Sequence, residues 1–316
     1  MKLATFTVET DVGGVDRVGV LDDGALVDVT AGYGAVLDAE GRSNPAGKAS
    51  ALLPPSMIGV LENGEEAMEA IRTLRGRADD LPARGPGGAA VEYDLDDVRL
   101  HSPLPRPNTL RDFLVFEEHG REKVDAWYEM PIYYKGNPDS VVRPGADVPM
   151  PPYADELDYE LEVAAVVGKP AWNVAAAEAG EYIAGYTIFD DFSAREIQRR
   201  EMSAGLGPAK GKDFANGFGP YLVTADAFDP TDAGMVARVD GEVWSEGNLG
   251  DMYHSFGDIL EHASSGETLR PGDVLGSGTV AGGCGSDLGK YPDPGAEIEL
   301  EVEGIGTLRH RIGTGG

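Results

Sequence analysis

Short runs of alternating apolar and polar residues recur along the chain, and this period-two pattern is typical of half-buried β-strands. Near the start, it predicts strands over residues 2–9 and 15–30, with a hairpin turn at Asp23-Gly24. Residues 54–78 have helical spacing instead, interrupted near Asn63-Gly64. The pattern therefore predicts a small N-terminal α+β region of short strands and one helix.

A Gly/Pro-rich linker at residues 82–90 separates this region from a longer part that is rich in turns and short apolar strands. Helices are predicted there over residues 119–127, 176–183, 193–203 and 256–264. We expect a mainly β protein with some α. A small N-terminal α+β domain would cover residues 1–95, and a mixed β-roll or β-sandwich domain would cover residues 96–316.

The charge balance is strongly acidic, with 26 basic and 55 acidic residues and a net charge of −29. Nucleic acid is not expected as a partner, because binding to phosphates requires a basic surface. The acidic residues are spread along the whole chain, so the surface repels itself unless salt screens it. We therefore expect a protein from an extreme halophile, adapted to molar salt.

Composition also predicts the compartment. The one cysteine, Cys284, cannot form an internal disulfide, which fits a reducing cytoplasm. No run of about 18 apolar residues is present, and the first residues do not resemble a signal peptide, so no membrane partner is expected. Cys284 is interpreted as unreactive, because the sequence shows no base or helix terminus beside it.

The stretch "ELDYELEVAAVVGK" (156–169) runs a row of acidic residues into an apolar strand. Asp158, Glu160 and Glu162 share one face of an extended chain, and the run from Val163 to Val167 indicates a strand covered on both faces. One interpretation is a solvated edge in an acidic protein. The other is a hard cation bound by carboxylate oxygens.

Two further segments contain candidate chemistry. Asp190 and Asp191 lie between a predicted strand and a helix, for which Ser193 and Glu196 match a capping box. His119 lies three residues before Glu122 on a predicted short helix, where a carboxylate can hold an imidazole and raise its basicity. The alternative for each is structural: helix capping for the acids, and a chance surface ion pair for the histidine.

Several segments in order, "LDYELEVAAVVGK", "GYTIFDDFSAREIQ", "GPAKGKDF" and "LRPGDVLGSGTVAGG", resemble the fumarylacetoacetate hydrolase family, and the resemblance extends from about residue 100 to 312. It implies a β-roll or β-sandwich catalytic domain in a homodimer. It also implies a divalent cation, Mg²⁺ first, with Mn²⁺ or Ca²⁺ as alternatives. The residues that match the family's metal ligands are Glu160, Glu162, Asp191 and Asp112.

The same resemblance assigns roles to other side chains. His119 matches the histidine that activates water, and Glu122 matches the acid beside it, although Asp287 stands where some members place a supporting Glu. Either acid could therefore orient His119. The residues that match groups contacting the substrate are Lys212, Arg195, Gln198, Tyr134 and Thr279. Lys212 is also expected to stabilise an oxyanion.

The resemblance implies a metal-dependent hydrolase that cleaves a C–C bond in a 1,3-diketo acid, similar to fumarylacetoacetate or an acylpyruvate, through a metal-held enolate. A role in aromatic catabolism would follow. Isomerases and decarboxylases of 2-oxo acids and dehydratases of 2-keto-3-deoxy sugar acids are alternatives on the same scaffold. A cation-binding protein without activity is a further alternative.

Overall fold

The computed structural model describes residues 1–11, 13–120 and 122–314. At the N-terminus, the described residues form three strands, which are followed by four α-helices and then by two short strands. The strands of this region are β1 (Lys2–Thr10), β2 (Gly13–Asp22), β3 (Ala25–Asp28), β4 (Glu92–Asp94) and β5 (Arg99–Leu100). Its helices are α1 (Val29–Ala39), α2 (Pro45–Leu52), α3 (Met57–Glu62) and α4 (Gly64–Arg75).

The remaining strands are β6 (Leu110–Phe113), β7 (Tyr133–Gly136), β8 (Val141–Val142), β9 (Asp147–Val148), β10 (Leu157–Asp158), β11 (Leu161–Val167), β12 (Ile183–Asp190), β13 (Ser193–Ala194), β14 (Asn216–Thr224), β15 (Gly234–Val239), β16 (Glu242–Asn248), β17 (Val274–Gly276), β18 (Glu297–Val302) and β19 (Gly306–Ile312). The helices are α5 (Asp125–Glu129), α6 (Arg195–Ser203), α7 (Phe256–Ser264) and α8 (Gly285–Leu288).

Two sheets organise the chain. Within the described ranges, the larger has the strand order β4-β3-β2-β1-β14-β12-β11-β17-β6-β7, with β5 beside β1 and β8 beside β14. The smaller has the order β16-β15-β18-β19-β9, and β10 pairs separately with β13. The predicted fold, mainly β with some α, is confirmed.

Strand β11 lies at the centre of the core. Val163 and Val167 on one face pack into the cluster between the two sheets, and Ala164 and Val166 on the other face pack under the N-terminal helices. All residues of β11 are buried. The continuous apolar run therefore forms a strand covered on both faces, as the sequence predicted.

The large sheet continues across the proposed boundary at residue 95. Lys2 and Leu3 of β1 pair with Val223 and Leu222 of β14, so the first strand extends the sheet of the larger part. Apolar residues from both sides of the boundary share one cluster. The two-domain division therefore remains a prediction, and the structure joins the two parts through one sheet.

The N-terminal region matches the predicted turn but contains more helix than expected. Asp23 and Gly24 both have positive φ in the β2–β3 turn, and Gly64 interrupts the long helical segment between α3 and α4. Helices α1 and α2 were not predicted. Most of α1 is buried, so it has no continuous polar face from which a helical period can be detected.

The predicted helix over residues 193–203 forms as α6, but its predicted cap at Ser193 and the predicted helix start at residue 119 are both wrong. Helix α5 begins only at Asp125, and His119 lies in a preceding turn where Gly120 has a φ of 73°. Ser193 does not cap α6. It pairs with Asp158 across β13 and β10, and its hydroxyl donates to the Asp191 carbonyl at 3.0 Å. Pairing with a distant strand therefore replaces the predicted local cap.

The two other predicted helices have different outcomes. Residues Ala176–Glu181 form a 3₁₀-helix, whereas α7 forms as predicted and begins with a capping box between Ser255 and Asp258. Across the described ranges, no helix is both long enough and apolar enough to cross a bilayer.

Candidate active site

Three buried carboxylates converge at one end of the central strands. Asp112 lies on β6, Glu162 lies on β11, and Asp191 directly follows β12. One oxygen from each lies within 4.8 Å of the others. Strands β12, β11, β17 and β6 are neighbours in the sheet, so side chains distant in sequence meet here. We call Asp112, Glu162 and Asp191 the carboxylate triad.

Glycine at position 276 makes space for the triad. Gly276 of β17 lies directly opposite Asp112 of β6, and a Cβ there would lie 2.4 Å from the Asp112 carboxylate. Gly278 has a φ of 81°, and its amide donates to Glu162 Oε2 at 3.1 Å. The small residues of the segment 276–287 therefore allow the backbone to approach the acids closely.

The triad fits a hard divalent cation. Burial, together with the Asp191 charge, raises the pKa of Asp112 well above its usual value, and burial together with the Asp112 charge does the same for Glu162. One oxygen each of Asp112 and Asp191 is buried without a hydrogen-bond partner. Clustered carboxylates with unused oxygens are the donor set that Mg²⁺ or Mn²⁺ requires.

Glu160, the fourth predicted ligand, is held by two cations. Its carboxylate contacts Lys212 Nζ on one side and lies 2.8 Å from the Arg195 guanidinium on the other. Burial raises the pKa of Glu160, but the charges of Arg195 and Lys212 outweigh it and the net pKa is lowered. Glu160 is therefore ionised next to the triad, and Lys212 connects it to Asp191.

Lys212 contacts metal-ligand candidates in this structure. Its ammonium group contacts Glu160 Oε2, Asp191 Oδ2 and the Asp191 carbonyl. Burial lowers the pKa of Lys212, but Asp191 and Glu160 outweigh it and the net pKa is raised. Lys212 is therefore a permanent positive charge that stabilises the acids around it.

Asp158 holds the Arg195 side chain in place. The Arg195 Nε donates to Asp158 Oδ2 at 2.8 Å, and its Nη1 donates to Gln198 Oε1 at 3.1 Å. Asp158 in turn accepts hydrogen bonds from the amides of Gly285 and Ser286, at 2.8 and 2.9 Å. Asp158 therefore supports Arg195 and the start of α8.

His119 pairs with Asp287, not with Glu122. The His119 Nδ1 lies 2.7 Å from Asp287 Oδ2, and its Nε2 lies 3.9 Å from Glu160 Oε1. Glu122 is exposed, and within the described ranges it makes no hydrogen bond or ion pair with His119. Burial raises the pKa of Asp287, but the hydrogen bond from His119 and the charge interactions with His119 and Arg195 together outweigh it, and the net pKa is lowered. We call His119 and Asp287 the dyad.

Tyr134 and Thr279 border the triad. The Tyr134 hydroxyl donates to Asp191 Oδ2 at 2.5 Å, and the Thr279 hydroxyl donates to Glu162 Oε1 at 3.2 Å. Burial and the charges of Asp191 and Asp112 raise the pKa of Tyr134 well above its usual value. Both hydroxyls therefore remain neutral donors that orient the carboxylates.

Sequence reasoning missed two buried partners of the site. Cys284 does have a base beside it, since its sulfur belongs to a group with His119 and Asp287 whose ligand atoms lie within 4.8 Å of one another. His310, to which the sequence analysis assigned no role, is buried, and its Nδ1 lies 3.8 Å from Asp190 Oδ2. The alternation of β19 places His310 inward and could have revealed it.

Comparison with known proteins extends these observations. Residues 109–313 match the family model for the fumarylacetoacetate (FAA) hydrolase C-terminal region. Oxaloacetate tautomerase YisK of Bacillus subtilis (strain 168) is 30% identical over 276 residues, which cover 83% of this chain and 87% of that protein. The family match therefore includes every candidate site residue named above.

Solved structures share the fold along the entire chain. A fumarylacetoacetate hydrolase from the psychrophile Exiguobacterium antarcticum has a TM-score of 0.74 at 27% identity and covers 98% of this chain and 99% of its own. Maleylpyruvate hydrolase from Sphingobium sp. SYK-6, in complex with manganese(II) and pyruvate, has a TM-score of 0.71 at 22% identity and covers 100% of each chain. This protein therefore belongs to the fumarylacetoacetate hydrolase family.

Proposed function

We propose that this chain is a divalent-metal-dependent enzyme that interconverts the enol and keto forms of a short 2-oxo dicarboxylic acid such as oxaloacetate. The observation that carries the proposal is the position of the dyad, with His119 Nε2 3.9 Å from Glu160 beside the carboxylate triad. The similarity to an oxaloacetate tautomerase over most of both chains supports this reaction among those of the family.

The cation would be held by Asp112, Glu162 and Asp191, and when bound it would polarise the substrate's carbonyl oxygens as a Lewis acid. Mg²⁺ is the first candidate, and Mn²⁺ is supported by the maleylpyruvate hydrolase complex. Because the triad offers only carboxylates, a hard cation suits it better than one that prefers sulfur or nitrogen ligands.

The proton transfer is assigned to the dyad. His119 takes the proton from the substrate hydroxyl and returns a proton to carbon, so that the keto form results with no net change in protonation. Asp287 stabilises the imidazolium between the two steps by accepting a hydrogen bond from Nδ1–H. His119 is partly accessible, with 13% of its side chain exposed, so a substrate can reach its other nitrogen.

Hydrolysis of a C–C bond in a 1,3-diketo acid is the second candidate. It is favoured by the similarity to a fumarylacetoacetate hydrolase along nearly the whole of both chains. The same dyad would take a proton from water instead of from the substrate. Arg195, which contacts Glu160 and Asp158, and Gln198, which accepts a hydrogen bond from Arg195, would then bind the substrate's oxygens.

One set of assays distinguishes the two reactions. Purified protein in molar KCl with Mg²⁺ or Mn²⁺ is given enol-oxaloacetate, and the loss of enol absorbance is followed against an EDTA control. In parallel, acylpyruvates and fumarylacetoacetate are tested for cleavage products. Ketonisation that is faster than the uncatalysed reaction, is inhibited by EDTA and gives no cleavage products supports the tautomerase. Cleavage products would instead support the hydrolase. If a folded, metal-loaded protein shows neither activity, both proposals are overturned.

Assembly is a separate proposal. We propose a homodimer that binds only small 2-oxo acids, in line with the family resemblance and the acidic surface. Sedimentation equilibrium in molar KCl tests the dimer, and a monomer that is fully active would contradict it.

A further inference from the structure

We propose that His119, Cys284 and Asp287 form a second metal site, which takes a thiophilic divalent cation such as Zn²⁺ and thereby blocks the dyad. One ligand atom from each of these residues lies within 4.8 Å of the other two. The set differs from the carboxylate triad in chemistry, since it combines a thiol, an imidazole and a carboxylate. This inference does not depend on which reaction the enzyme catalyses.

The donor set selects the cation. Zn²⁺ binds Cys sulfur, His nitrogen and carboxylate oxygen, and catalytic-type sites use three such ligands with an open fourth position. Mg²⁺ prefers oxygen ligands only and has little affinity for a thiolate. The two clusters should therefore prefer different cations: the triad should bind hard cations, and the cluster that contains Cys284 should bind thiophilic cations.

The geometry requires small adjustments in the ligand distances, including a widening of the 2.7 Å separation between His119 Nδ1 and Asp287 Oδ2. Ligand atoms of a tetrahedral zinc site lie roughly 3.3–3.8 Å apart, given metal–ligand distances of about 2.0–2.3 Å. His119 lies in a turn and keeps 13% of its side chain exposed, and Asp287 keeps 16%. A cation can therefore reach His119 and Asp287 from solvent, with the buried Cys284 as the third ligand.

Charges around the cluster favour a cation. Glu160 lies 3.9 Å from His119 Nε2, and Asp287 carries a further negative charge. Two cationic groups lie nearby: the Arg195 guanidinium is already paired with Asp158 and Glu160, and the Lys123 ammonium donates to the His119 carbonyl. A bound Zn²⁺ would hold His119 and Asp287 as ligands. It would thus remove the base from proton transfer while the triad remains free for Mg²⁺.

Cobalt(II) provides a direct readout, because thiolate ligation gives a charge-transfer absorption in the near ultraviolet. The chain has one cysteine, so any such band comes from Cys284. The full-length protein is first saturated with Mg²⁺ and then titrated with Co²⁺. We expect a band that saturates at one equivalent of cobalt and is bleached by Zn²⁺, which binds such sites more tightly than Co²⁺.

Variants test the other two ligands. His119→Ala and Asp287→Asn should each weaken cobalt binding by at least about tenfold, because loss of even an outer-shell partner commonly has that effect. The exposed Glu122→Gln and the triad variant Asp112→Asn should keep the band. A folded wild-type chain without a band, or a band unaffected by both ligand variants, would overturn the proposal. The readout requires no turnover, so failure of the proposed reaction would leave it intact.

Discussion

His119 Nδ1 lies 2.7 Å from Asp287 Oδ2, although 168 residues separate the two along the chain. Asp287 is held in place by its helix: the amides of Gly285 and Ser286 at the start of α8 bind Asp158, and Asp158 also binds Arg195. The orientation of the imidazole therefore depends on a chain of buried hydrogen bonds that begins beside Glu160.

The first prediction compares the two acids that could support His119. Asp287→Asn keeps the shape of the side chain but removes the charge that stabilises an imidazolium, so kcat should fall about 100-fold. Glu122→Gln should change kcat by less than about twofold, because Glu122 is exposed and unpaired with the ring. Steady-state kinetics on enol-oxaloacetate measures both. An equal or larger loss at position 122 would contradict the assignment.

The second prediction concerns the triad. Burial and neighbouring carboxylates raise the pKa of Asp112, so its ionised form destabilises the metal-free fold. Asp112→Asn should therefore unfold at a higher temperature than wild type in EDTA. Wild type should gain about 2.7 kcal/mol from Mn²⁺ at 100 times its Kd, and the variant should gain much less.

Thermal unfolding of both proteins, in EDTA and with Mn²⁺, measures the stability difference without metal and the gain that each protein obtains from the metal. A structural role for Asp112 alone would give the opposite pattern in EDTA, with the variant less stable than wild type. Equal stabilisation of the two proteins by Mn²⁺ would show that the cation binds elsewhere.

The third prediction concerns pH. Burial raises the pKa of Asp190 from 3.8 to about 6. The folded state thus holds this proton more tightly than the unfolded chain does, and stability from this group increases as pH falls from above 6 toward 4. Asp190→Asn should raise the free energy of unfolding at pH 7–8 by about 3 kcal/mol at most, given about 1.4 kcal/mol per pKa unit.

The measurement is denaturant unfolding of variant and wild type between pH 4 and pH 8, in parallel. The stability difference should shrink as pH falls through 6, with the exposed Asp251→Asn as a control that shows no such trend. A difference that is constant with pH would mean that Asp190 is not buried in its ionised form, or that its bond to the Glu160 amide dominates.

The fourth prediction concerns salt. A net charge of −29 makes the folded chain repel itself, and the Debye length falls from about 10 Å at 0.1 M salt to about 3 Å at 1 M. The unfolding temperature should therefore rise between 0.1 and 2 M KCl, with most of the rise below about 1 M. Maximal stability in dilute buffer would contradict adaptation to molar salt.

Local patterns predicted several elements correctly. The apolar run of residues 163–167 indicated a doubly covered strand, Asp23-Gly24 indicated a hairpin, and the break at Asn63-Gly64 separates two helices. Each depends on preferences between residues a few positions apart. The same local reasoning failed at Ser193, where pairing with Asp158 of a distant strand took precedence over a helix cap.

The sequence by itself determined the acidic character, the mainly β architecture, the family resemblance and the set of acids from which a metal site can be built. Only the tertiary structure decided which of these acids lie together as candidate metal ligands and which pair with other side chains. It grouped Asp112, Glu162 and Asp191, and it paired Glu160 with Lys212 and Arg195. It also placed Asp287 and Cys284 beside His119. Spacing along a chain cannot reveal such partners, because they are many residues apart in sequence. They meet only when the chain folds, since buried charges require opposite charges or hydrogen-bond partners close by in space.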